Sequence, residues 1–240
     1  VIGAIADLEP LLVGMDPRDI EQCFQVMTRH GFWRMGVIGM SAISGIEIAL
    51  WDILGKSLDT PVWRLLGGKC RDHLRTYTHL GMGNMSSVYE TDGAEELAER
   101  GRQVVDAGYD AVKVVSIPYA HYIAPNRAID SVGMAMDSLR QAVGPDVDIM
   151  VDFHGRPASA ALARDFLRAL EPARPLFAEE PVPPEQIDNC VELTRTSRIS
   201  IAAGERLIGR AAFEDAIRRR AFHIAQPDIV HVGGISEAKS

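Results

Sequence analysis

The sequence predicts an α/β protein of the (β/α)8-barrel type, with about six βα units present, preceded by a helical region. Three observations predict it. From Leu74 onward, short β-branched or apolar runs alternate with helical stretches. Three of those runs end in an acid, Asp152, Glu179 and Glu205, at intervals of 27 and 26 residues. Such an interval holds one strand, one helix and two short loops. Before Leu74 the chain reads as helical throughout.

Residues 1–72 read as helical. Val1 to Val13 is an apolar, helix-like run. Asp16-Pro17 is a cap with proline at the first helical position, and an amphipathic helix follows from Arg18 to Arg29. His30-Gly31 stops it, and Phe32 to Met35 form a loop with two aromatics. Ser41 opens a long apolar helix, with Ile46, Ala49, Leu50 and Ile53 on one buried face. Gly55 ends that helix. Thr60-Pro61 starts a short one through Leu66, closed by Gly67-Gly68. Glu47 and Asp52 read as solvated or packing-linked charges.

Residues 73–240 are assigned to a partial barrel carrying a metal site. Strands are expected at 74–80, 111–115, 147–152, 176–179, 199–203 and 223–226. Helices are expected at 94–107, 127–143, 159–170, 184–194 and 211–219, with Ser236 opening another. An open doubly wound sheet would carry a glycine-rich phosphate loop after its first strand. Leu80-Gly81-Met82-Gly83-Asn84 is a weak version of one and reads as a turn.

The totals narrow the function classes. In 240 residues, 47% are hydrophobic and 24% charged, which suits a globular protein. Net charge is −8, which argues against nucleic acid or an anionic membrane as partner. No signal peptide and no 18-residue apolar run is visible. Cys23, Cys70 and Cys190 are scattered, without disulfide or zinc spacing, so a reducing cytoplasm is the expected compartment. The chain opens inside an apolar run and stops a few residues into a helix, so both ends read as cut.

The chemistry centres on Asp148 to Arg156, a strand that ends in a carboxylate, an imidazole and a guanidinium. Side chains alternate along a strand, so Asp152 and His154 are expected to point the same way. Three acids at the ends of successive parallel strands would face one another and repel unless a cation sits among them. A hard divalent cation with oxygen ligands, Mg²⁺ above all, is the economical explanation. Histidine suits proton transfer near neutral pH.

These residues resemble a known family. Gly45-Ile46-Glu47-Ile48-Ala49-Leu50-Trp51-Asp52, with Gly55-Lys56, Pro61-Val62 and Leu65-Leu66-Gly67-Gly68, is similar to a linker of the enolase superfamily. The branch is that of mandelate racemase and muconate lactonising enzyme, which implies that residues 1–72 are the helical part of an α+β capping domain and its linker. Asp152, Glu179 and Glu205 resemble its magnesium site, and Gln226-Pro227-Asp228 with Gly233-Gly234 its sixth strand. Asp152-Phe153-His154-Gly155-Arg156 is most similar to the sugar-acid dehydratases, the galactonate type in particular. The resemblance implies a Mg²⁺-dependent dehydratase of an aldonic acid that yields a 2-keto-3-deoxy product. It implies that His154 is the acid expelling the 3-hydroxyl. It implies that Asp228 holds a second histidine, expected beyond Ser240, that takes the C2 proton. Lys113 matches the first lysine of the racemase strand, while Val115 fills the place of the second, which suits a dehydratase better than a racemase.

Lys113 is read as a substrate contact or a neighbour of the acids, and Arg156 as a substrate contact or a structural partner of Glu180. Tyr119, His121 and Tyr122 keep a mannonate-type dehydratase open. His30, His73, His79, His223 and His231 read as surface or core. A racemase or epimerase and a non-catalytic fragment stand as further alternatives. A homo-oligomer acting on a small-molecule sugar acid is expected.

Overall fold

The computed structural model describes residues 1–34, 36–80, 93–119 and 122–240. The glycine turn at 81–84 and His121 therefore lie outside the described residues. The chain divides into two compact units. One comprises Arg75–Ala203 with Ala216–Ala225, and the other Val1–Leu74 with Gly204–Asp215 and Gln226–Ser240.

The first unit holds a six-stranded parallel sheet in sequential order. Its strands are β1 (Thr78–His79), β2 (Ala111–Val114), β3 (Asp148–Asp152), β4 (Phe177–Glu179), β5 (Ser200–Ala203) and β6 (Ile224–Ala225). Each strand pairs with its neighbours in the chain, the order of a (β/α) barrel. Because side chains alternate, one face carries Ala111, Met150, Phe177 and Ala202 as a single apolar layer, with Ile224 packed against it. The opposite face carries Val112, Val114, Ile149, Val151, Ala178 and Ile201, all at most 3% exposed. Strands buried on both faces read as continuous apolar runs.

Among the described residues four α-helices belong to this unit, and a fifth, Gly209–Arg219, spans its boundary. Helices Ala94–Asp106 and Asn126–Val143 meet closely at Gly101, where an added Cβ would lie 2.5 Å from Leu139 Cδ1 and 2.8 Å from Val143 Cγ1. Ala160–Leu170 is capped by Ser159, whose hydroxyl accepts the Leu162 N–H at 3.2 Å. Ile187–Thr196 follows β4.

The outer strands are shorter than the sequence suggests. The expected strand 74–80 forms a ladder only at Thr78–His79, and Leu74 is 78% exposed. At the other end His223, just before β6, meets Ile201 twice. Its N–H donates to the Ile201 carbonyl at 2.8 Å, and its Nδ1 accepts the Ile201 N–H at 3.0 Å.

The other unit is helical. Helices α1 (Ile2–Leu12), α2 (Ile20–Arg29) and α3 (Val37–Ser57) pack around Leu8, Phe24, Met27, Met40, Ala42 and Ile43. A second cluster joins Ile20, Cys23 and Leu50. Helix α3 starts at Val37, four residues before Ser41, because the Ser41 hydroxyl turns back to the Val37 carbonyl instead of capping. By length and composition α3 is apolar enough to span a membrane, contrary to the reading of no long apolar run. Its apolar side instead packs on α1 and α2. Glu47 on this helix is fully buried, the packing-linked one of its two readings, whereas Asp52 is exposed and pairs with Lys56 at 2.7 Å.

Candidate active site

The face of the sheet that carries the apolar layer turns polar one step further along the strands. Lys113 is two residues past Ala111, Asp152 two past Met150, and Glu179 two past Phe177. The register aligns Asp152 with Glu179 and His79 with Lys113. Alternation alone therefore brings these side chains to the carboxyl ends of the strands on one face.

Lys113 is the centre of the cluster. Its Nζ lies 2.8 Å from Asp152 Oδ2 and 2.5 Å from Glu179 Oε2. Both acids are 2% exposed. Burial works against the charge on Lys113, but Asp152 and Glu179 outweigh it and hold the ammonium well above its ordinary range. Burial likewise works against ionised Asp152, and the His154 hydrogen bond and the Lys113 charge more than reverse it.

His154 meets Asp152 by a different route from the one expected. Strand β3 ends at Asp152, and His154 has φ +51°, outside extended backbone. Its N–H donates to Asp152 Oδ1 at 3.1 Å, closing a tight turn. That turn, rather than strand alternation, brings Nε2 to 3.2 Å from Asp152 Oδ2. Glu180, at the end of β4, also sits at positive φ, +41°, and its carbonyl accepts the Gly155 N–H at 2.8 Å. Left-handed backbone at two adjoining strand ends is strain held in place by the surrounding ladder.

Arg156 is buried. It donates from Nη1 to the Ile117 carbonyl, and its guanidinium lies 4.4 Å from the centre of the exposed Tyr119 ring. It thus ties the loop after β2 to the turn after β3. Val115, in place of a second lysine, is 2% exposed. Glu205 follows Gly204 (φ +140°) and lies two residues past β5, and Asp228 lies three residues past β6. Both belong to the other compact unit. Asp228 Oδ1 accepts the Val230 N–H at 2.9 Å, and its Oδ2 lies 3.8 Å from His231 Nε2.

His79 is the group that sequence reading passed over. It is the register partner of Lys113, and its imidazole is held below its ordinary pKa by burial and then by the Lys113 charge. Asp152 and His154 act on it as well. A lone histidine near a strand end carries no signal of its own, and only the pairing with Lys113 reveals it.

Among the described residues no three His, Cys, Asp or Glu side chains stand together as a metal cage. The donor set nevertheless fits a hard cation. Two buried carboxylates share one ammonium, so their negative charge exceeds the positive charge between them. All their donor atoms are the oxygens that Mg²⁺ prefers.

Comparison with known proteins accords with this layout. A family model described as enolase C-terminal domain-like matches residues 96–240. Another, the N-terminal domain of mandelate racemase and muconate lactonizing enzyme, matches residues 2–67. The chain belongs to the mandelate racemase/muconate lactonizing enzyme family of the enolase superfamily. It is 42% identical over 237 residues to a D-galactonate dehydratase of Verminephrobacter eiseniae, covering 99% of this chain and 59% of that protein. Among solved structures it resembles a member of the enolase superfamily from Salmonella Typhimurium, with TM-score 0.91 and 31% identity. That match covers 99% of this chain and 64% of the other. It also resembles an enolase from Agrobacterium radiobacter determined with sodium and L-malate bound, with TM-score 0.87 and 30% identity over 99% of this chain and 58% of that one. The chain thus spans about three fifths of the length of these family members.

Proposed function

We propose that this member of the mandelate racemase family serves a Mg²⁺-dependent dehydratase of an aldonic sugar acid of the galactonate type. The observation that carries the proposal is the convergence of Asp152, Glu179, Lys113 and His154 at the carboxyl ends of β2 to β4. The 42% identity to a D-galactonate dehydratase supports the substrate class. L-malate, a 2-hydroxy acid, is bound in a structural relative and has the same carboxylate-beside-hydroxyl arrangement.

Asp152, Glu179 and Glu205 would hold the cation. When bound, Mg²⁺ supplies fixed positive charge where negative charge develops beside the substrate carboxylate. Lys113 uses two of its three N–H donors on the acids and keeps one for a substrate oxygen. Arg156 acts on the substrate through the loop it holds. An imidazole oriented by Asp228 takes the C2 proton. The electron pair forms the C2–C3 double bond as the C3–O bond breaks. His154 protonates the departing 3-hydroxyl, which leaves as water, and the enol becomes the 2-keto acid. A racemase would need a base on the second strand, and the buried Val115 is not one.

The test is incubation of the protein carrying the complete barrel with D-galactonate and Mg²⁺, reading 2-keto-3-deoxy product. Product that disappears with a chelator and returns with Mg²⁺ is expected. Deuterium entering C2 from heavy water without loss of water would replace the dehydratase with an epimerase. Glu205→Gln removes charge at nearly constant volume. It is expected to weaken Mg²⁺ binding in calorimetry while leaving the circular dichroism unchanged, and unaltered binding would remove Glu205 from the ligand set.

A further inference from the structure

Helix α3 carries Ser41, Ser44, Glu47 and Trp51, spaced three, three and four apart, so they share one face. Each meets the segment that follows β6. Ser41 Oγ lies 2.8 Å from His231 Nδ1. Ser44 Oγ accepts the Gly233 N–H at 3.1 Å. Glu47 accepts the Ile235 N–H at 2.7 Å, the Ser236 N–H at 3.0 Å and the Ser236 hydroxyl at 2.5 Å. It also accepts the Trp51 indole N–H at 2.8 Å. Residues 231, 233 and 235–236 thus run in step with 41, 44 and 47.

Packing alone does not require this. A buried carboxylate is costly unless its lone pairs are satisfied, and an apolar side chain would fill the same space more cheaply. Four directed donors on Glu47 instead admit one register of the segment. Gly233 and Gly234, at φ +125° and +95°, allow the approach; a Cβ on Gly234 would come within 2.1 Å of Glu47 Oε2. Asp228 heads the held segment. Its carbonyl accepts the His231 and Val232 N–H groups at 2.9 and 2.8 Å, so a displacement of 231–236 is transmitted to it.

We propose that this face of α3 is a positioning template for Asp228, with Ser41, Ser44 and Glu47 as positioning residues acting through residues 231–236. The proposal rests on the dehydratase reading for the role of Asp228, and it gives the linker helix a part in proton transfer.

The test uses Glu47→Gln and the milder Ser41→Ala. Amide hydrogen exchange is read first. Losing charged acceptors for Ile235 and Ser236 is expected to speed exchange of those amides about 10–100-fold in Glu47→Gln, with α2 amides unchanged. Ser41→Ala is expected to loosen residues near His231 by a smaller factor. Equal speeding of α2 and 235–236 would mean global destabilisation and would overturn the template. The second readout is the kinetic isotope effect of C2-deuterated galactonate in the protein carrying the complete barrel. As a ratio it does not depend on the folded fraction. A larger effect in Glu47→Gln is expected, because a displaced Asp228 makes C2 proton removal more limiting. An unchanged isotope effect, with Asp228→Asn inactive, overturns the positioning role alone. Full activity in Asp228→Asn overturns the reading of the reaction, and amide exchange then still judges whether α3 orders the segment.

Discussion

At the residue scale, the site is governed by one ammonium between two buried acids. Removing it leaves buried negative charge uncompensated, a loss typically of about 3–5 kcal/mol for a broken buried pair. Lys113→Met is therefore expected to lower the melting temperature by on the order of 10 °C in a chain of this size. The pH dependence follows from the directions of the shifts. Asp152 is held below its ordinary pKa, so its contribution is present above about pH 4 and is lost as pH falls through the folded value. Lys113 is held above its ordinary value, so its contribution is complete below about pH 10 and is lost only as pH rises through the folded value. Melting curves of parent and variant are expected to differ most between about pH 4 and 10 and to converge in acid. A constant gap into acid would mean that the ion pair is not the source.

His154 offers a second residue-scale test. Its backbone is left-handed, a conformation that asparagine tolerates better than most residues. His154→Asn keeps the turn and removes the acid. Dehydration is expected to fall about 10²–10⁴-fold, the usual worth of general acid catalysis. Exchange of the C2 proton should survive, since that step is assigned to another group. Loss of both would make His154 the base, and unchanged dehydration would sink the assignment.

At the element scale, the alternation of strands and helices was legible because each central strand is β-branched or apolar and each helix has a punctuating residue. Val147, Ile149 and Val151 announced β3, and Gly108 and Gly144 closed their helices. The limits of β1 and β6 were not legible: among the described residues each forms a ladder over two residues of a longer run. The regular spacing of Asp152 and Glu179 put them at matching strand ends, and the register aligns them. The burial of Glu47 left little trace, because its backbone donors lie up to 189 residues away. The same reasoning explains Ser41, whose hydroxyl has a helical carbonyl and a distant imidazole to meet instead of a helix end to cap. The contact at Gly101 makes an element-scale prediction. Alanine there gains about 1 kcal/mol of helix propensity. It also drives a methyl into Leu139 and Val143, both buried, and overpacking costs about 1–3 kcal/mol. Gly101→Ala is thus expected to be neutral to destabilising by about 2 kcal/mol in denaturant unfolding. A clear gain in stability would mean that the two helices can part freely.

At the scale of the whole molecule, the helical unit presents apolar side chains to solvent. Phe32 and Trp33 are 88% and 83% exposed and meet edge to face, with Val37 and Ile38 nearby in sequence and also exposed. Surface of this kind fits a homo-oligomer, and sedimentation at micromolar concentration is expected to show one. A monomer would end that expectation.

The α3 network also bears on the order of events at the ribosome. Strands β2 to β6 each pair with the strand made just before, so the sheet can grow as the chain emerges. Helix α3 is made early, yet the Ser236 N–H that Glu47 bonds is made 189 residues later. At synthesis rates of about 5–20 residues per second, the carboxylate waits on the order of 10–40 s for it. During that interval burying Glu47 would be unfavourable, so this face of α3 is completed only after residues 235 and 236 are made, although the helix itself is made early. Until then water stands in for the Ile235 and Ser236 donors.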